Sequence, residues 1–140
     1  MKPYEFIEHT ADVIVRAYGD TLEEAFAHAA LGMFDIITAG AVVQSEREIS
    51  FEVSSIDREG LLVKFLSELI VFHEVEPFVA ASVRVTFGEG DSLKAVARGE
   101  RFDPQKHGGG TPVKGVSYHL MEISEGNPGA PCHVQVLFDI

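Results

Sequence analysis

Apolar and polar positions along this chain repeat with two different periods, and the switches between them mark its elements. Residues 4–8 and 13–18 read as two short strands, separated by His9-Thr10-Ala11-Asp12. Gly19-Asp20 ends the second, and the spacing then becomes helical: Leu22, Phe26, Ala29, Ala30, Met33, Phe34 and Ile37 share one face. Asp20 is placed to cap this helix, Glu23 stands at the capping-box distance, and Gly40 is its stop signal. Ile49, Phe51 and Val53 alternate as a third strand. A second helix opens near Ser55 to Asp57, carries the broad stripe Leu61, Leu62, Phe65, Leu66, Leu69, Ile70 and His73, and ends at Pro77. Three more alternating runs follow at 79–87, 93–102 and 113–123, with Gly88-Glu89-Gly90-Asp91 as the first turn between them. The last strand is the run to Ile140, set off by Gly126-Asn127-Pro128-Gly129.

Two helices and about seven strands in hairpin-like succession predict an α+β fold, with the helices packed on a largely antiparallel β-sheet. Residues 1–140 are long enough for one domain with a real core. Pro104 to Pro112, with Gly108-Gly109-Gly110 inside it, is the one long irregular stretch. It is expected to be a mobile loop, which is either a connector or a carrier of function.

Charge narrows the function. The chain carries 22 acidic against 11 basic residues, a formal net charge of −11. So acidic a surface repels bare phosphate backbone, which argues against autonomous nucleic-acid binding. A metal ion or a basic protein partner suits it better. Cys132 is the only cysteine, so an internal disulfide and a cysteine-rich zinc site are both excluded. The N-terminus shows no signal-peptide pattern and no apolar run is long enough to span a bilayer, so a cytoplasmic protein without membrane contact is expected.

The candidate chemistry starts from parity. Val134, Val136, Phe138 and Ile140 fall on one face of the last strand, Gln135 and Asp139 on the other. If Ile140 is held in the core, its terminal carboxylate is fixed one residue from that of Asp139. Two such groups repel unless a proton or cation lies between them. Asp12 stands at a strand break, where an aspartate also commonly bonds its own turn. Should the first strand lie near the last and bring Asp12 toward Asp139 and the Ile140 carboxylate, three carboxylates would form a hard oxygen site, favouring Ca²⁺, Mg²⁺ or Mn²⁺.

Six histidines offer no close zinc spacing. His28 and His73 read as structural, while His9, three residues from Asp12, could orient it or bind phosphate. Lys106, His107, Lys114 and His119 form the one locally cationic stretch, which is either a phosphate or partner contact or a solvated loop edge. No G-x-S-x-G, phosphate-binding glycine loop or G-x-G-x-x-G occurs, and Cys132 reads as a buried inert thiol, so nothing assembles an independent enzyme. A small chaperone or general interaction module fits the same features.

Several stretches together resemble the archease family, small metal-binding accessory proteins of RtcB-type RNA-splicing ligases. They are His9-Thr10-Ala11-Asp12, Gly19 to Phe26, Phe65 to Leu69, Gly99-Glu100, Asp103, Lys106-His107, Val113-Lys114, Tyr118-His119 and the terminal Asp139-Ile140. The resemblance implies a fold with a strand–helix–strand–strand unit. It also implies a metal site made by Asp12, Asp139 and the main-chain carboxylate of Ile140, with calcium the usual ion. The implied role is to promote guanylylation and turnover of the ligase and to broaden the nucleotides it accepts; RNA is met only through the ligase. The chain departs from the family at Gly115 and Ser117, where Ala and Thr are commoner, and in the looser glycine triplet.

Overall fold

A computed structural model describes residues 3–9 and 12–140, the side chains of Glu8 and His9 excepted. Seven strands and three helices follow in the order β1 (Tyr4–His9), β2 (Asp12–Gly19), α1 (Leu22–Thr38), β3 (Arg47–Ser54), α2 (Arg58–Val75), β4 (Phe78–Phe87), β5 (Ser92–Arg101), α3 (Pro104–His107), β6 (Gly115–Ser124) and β7 (Cys132–Asp139). The strands form not one sheet but two, ordered β1-β2-β7-β6 and β3-β5-β4, with every pairing antiparallel. The α+β architecture stands as expected. Among the described residues no helix is long and apolar enough to cross a membrane.

Both helical stripes do what their spacing implies. All seven apolar residues assigned to α1 are buried, and all six of α2. Their shared core holds a chain of rings: Phe26 contacts Phe65 and Phe87, and Phe51 contacts Phe65 and Phe72. The cap of α1 differs from the expectation. Thr21, not Asp20, is the N-cap, in extended backbone with its hydroxyl accepting the Glu24 N–H at 3.1 Å. Glu23 does not close a capping box; its carboxylate accepts the N–H of Phe87 on β4, an edge strand. Asp57 caps α2 through the Gly60 N–H.

The stretch expected to be irregular contains α3 and a close approach. A Cβ on Gly110 would lie 2.3 Å from the carbonyl oxygens of Ile36 and Ile37, and the Thr111 N–H donates to Ile36 at 2.8 Å. The missing side chain lets the loop seat against the end of α1, so this glycine serves contact rather than looseness.

Candidate functional site

Register places the carboxylates. β2, rather than β1, is the strand that pairs with β7, and it does so with Asp12 opposite Asp139. One strand outward, His9 on β1 is the register partner of Asp12; on the other side, Gly115 on β6 is the partner of Asp139. A row His9–Asp12–Asp139–Gly115 therefore crosses all four strands at one end of the sheet. Directly opposed residues project to the same face, so the two aspartates share a face. Asp12 is partly buried and Asp139 exposed.

The other parity of β7 is buried: Val134, Val136 and Phe138 lie in the core, and Ile140 packs against it. Packing there holds the backbone beyond Asp139 in place. The Lys114 N–H also donates to the Asp139 carbonyl at 2.8 Å, extending the β6–β7 ladder past Gly115. Gly115 crowds nothing, since an added Cβ would stand 3.6 Å from Asp139 Oδ2, an ordinary contact.

Two like charges opposed on one sheet face destabilise the ladder unless a cation intervenes. Their oxygen-only chemistry fits a hard divalent ion and not a soft one. Among the described residues no three His, Cys, Asp or Glu side chains gather closely enough to share an ion.

Beside this row lies a cleft of about 760 Å³, lined by Asp12 and Val13 of β2, Phe6 of β1, Asp35 and Ile36 of α1, and the loop at Gly110. Burial pushes the Asp35 carboxyl above its ordinary value of 3.8. Asp35 sits between apolar neighbours on a helix, and no spacing rule in the sequence marks it as part of a site.

The four residues of the cationic stretch do not form one patch. Lys114 enters β6 beside Asp139, and His119 is exposed further along that strand. Lys106 and His107 instead turn onto Glu100, at the end of β5 in the other sheet. Glu100 is buried and accepts the Gln44 N–H at 2.6 Å, Lys106 Nζ at 2.8 Å and 3.0 Å, and a bond from His107 at 3.0 Å. His107 is fully buried, and its Nδ1 accepts the Asp103 N–H at 2.9 Å. An amide can only donate, so the imidazole proton sits on Nε2 and faces Glu100. The Gln44 amide above all, with Lys106 second, holds the Glu100 carboxyl down from 4.5 to about 2. Nδ1 of His28 donates to the Tyr18 carbonyl and Nδ1 of His73 to the Phe78 carbonyl, as structural histidines do. The side chain of His9 lies outside the described residues.

The archease protein family matches residues 4–140 of the chain. Curated relatives include the protein archease of Pyrococcus furiosus, 43% identical over 88% of this chain and 89% of its own length. That of Methanosarcina mazei is 40% identical over 99% and 97% respectively. The solution structure of protein 1598 of Methanobacterium thermoautotrophicum superposes with a TM-score of 0.85 at 35% identity, covering both chains in full.

Proposed function

The chain belongs to the archease family, and from that premise we propose that it is a metal-dependent accessory protein of an RtcB-type RNA ligase. In this role it promotes guanylylation and turnover of the ligase, broadens the nucleotides the ligase accepts, and meets RNA only through it. The observation that carries the reading is the opposition of Asp12 and Asp139 on one sheet face.

Asp12, Asp139 and the main-chain carboxylate of Ile140 hold the ion, calcium first and magnesium or manganese as substitutes. When bound, a divalent cation supplies a positive centre that orients phosphate oxygens. Lys114, exposed and next to Asp139, adds a point charge for the same oxygens, and His9 and His119 stand as further contacts. Lys106 and His107 work indirectly: bound to Glu100, they hold the loop that leads to Lys114. The net charge of −11 favours docking on a basic ligase surface.

Ligase guanylylation measured with wild-type protein and with Asp12→Ala tests the reading. Stimulation by the wild type and its loss in the variant are expected; equal stimulation by both would refute it.

A further inference from the structure

β6 does not pair evenly with β7. Ser117 opposes Leu137 and Glu122 opposes Gln135, so four residues, Tyr118 to Met121, stand against Val136 alone. Such an excess throws the strand out of the ladder and re-aims its side chains. Within it, Leu120 has a φ of 59°, a left-handed backbone that a leucine adopts only when its surroundings impose it.

What imposes it is visible. The buried Gln135 donates from Nε2 to the Leu120 carbonyl at 2.9 Å, while its Oε1 accepts from Arg16 Nε at 3.0 Å. Ser117 Oγ accepts the His119 N–H at 3.0 Å. Gln135 and Arg16 have the parity of Asp139 and Asp12, so the excursion is tied down on the face that carries the two carboxylates. A buried amide and a guanidinium are thus spent on shaping a segment that leaves Tyr118 61% and Leu120 45% exposed. Holding two large apolar side chains in water by a strained, pinned backbone serves no purpose in the core. It is how a rigid binding tip is built.

We infer that the Tyr118–Leu120 excursion is a protein-docking tip whose occupant is a basic surface with an apolar socket. The inference rests on the function proposed above, under which that surface is the ligase's. Charge complementarity selects the occupant: the chain carries a net charge of −11, and Glu122, at the foot of the excursion, is half exposed beside Arg16 and His133. A net charge of −11 disfavours a long phosphate chain, so Tyr118 is a hydrophobic anchor and not a platform for a nucleic-acid base.

The test uses the full chain and purified ligase, with binding measured by calorimetry at low and high salt. The variant is Tyr118→Ser with Leu120→Asn, because asparagine accepts the left-handed backbone and leaves the fold unstrained. Expected are wild-type binding that weakens with salt and a loss of at least about tenfold in the variant. Melting temperature and calcium titration should be unchanged. If the double variant melts early, Leu120→Asn alone is the comparison. Equal binding by wild type and variant would overturn the tip while leaving the proposed function standing. A wild type that neither binds nor stimulates the ligase would overturn both. Retention of the wild type, but not the variant, by RNA alone would overturn the assignment to a protein partner.

Discussion

Asp12 and Asp139 face each other across the β2–β7 ladder, and like charges directly opposed on a sheet repel each other. Asp139→Asn should therefore raise the stability of the chelator-treated protein by ~0.2–1 kcal/mol. Calcium should reverse the order. At about a hundredfold excess over its dissociation constant an ion bound only by the native state adds ~2.7 kcal/mol, and the variant should gain little of it. Denaturant titrations in chelator and in calcium read both signs. A variant less stable than wild type in chelator would mean that the two carboxylates do not repel.

Extension by one residue isolates the third donor. Ile140 packs against the core, so an added glycine leaves its side chain seated while moving the terminal carboxylate about 3.3 Å onward. Calcium affinity should fall by at least about tenfold, with stability in chelator unchanged to within about 0.5 kcal/mol. Undiminished affinity would remove Ile140 from the ligand set.

Glu100 gives the protein a defined acid response. Its folded-state carboxyl titrates near 2 against an ordinary 4.5, held down first by the Gln44 amide and then by Lys106. A depressed carboxylate stabilises the fold above its unfolded pKa, and that contribution drains away as pH falls through the folded one. Glu100→Gln should thus be less stable than wild type at neutral pH, with the gap closing between about pH 4.5 and 2. At the alkaline end Lys106, raised by its bond to Glu100, acts in the opposite sense. Its contribution is complete below 10.5 and lost as pH rises through the elevated value. Stability curves of the two proteins that ran parallel across the acid range would rule out this coupling.

The periodicities delivered the two long helices and the strands because burial acts on each face independently of what it packs against; α3, a single turn in the stretch expected to be irregular, was too short to show a period. The parity of β7 likewise foretold that Ile140 would face the core and Asp139 the opposite side. Partition into two sheets was not legible, since β3 and β7 alternate alike whichever neighbour they pair with. Thr21 displaced Asp20 as the cap of α1 because both can accept an orphan amide, and the choice is settled by backbone geometry at Gly19 to Thr21. Sequence neighbours also misled: Lys106 and Lys114 are eight apart, yet Lys106 is bound to Glu100 of one sheet and Lys114 stands beside Asp139 of the other. Asp35 and Gln135 reach their roles only through contacts distant in sequence, so no local pattern announced them.

The two ways a glycine can matter here are separable by one pair of substitutions. An alanine Cβ at position 110 would lie 2.3 Å from the carbonyls of Ile36 and Ile37, and both are backbone atoms at the end of α1 that a rotamer change cannot move. The loop must lift, and the bond from the Thr111 N–H to Ile36 lengthens with it. Gly110→Ala should cost ~1–3 kcal/mol, in the range of other overpacked sites. It should also lower calcium affinity, because the same loop lines the cleft that reaches Asp12. At position 115 the added Cβ meets only Asp139 Oδ2 at 3.6 Å. Alanine also suits a strand better than glycine, by up to ~1 kcal/mol. Gly115→Ala should therefore leave stability unchanged or improved. Denaturant midpoints for the two variants, measured side by side, decide it: equal losses would mean that the close approach at Gly110 does not constrain the loop.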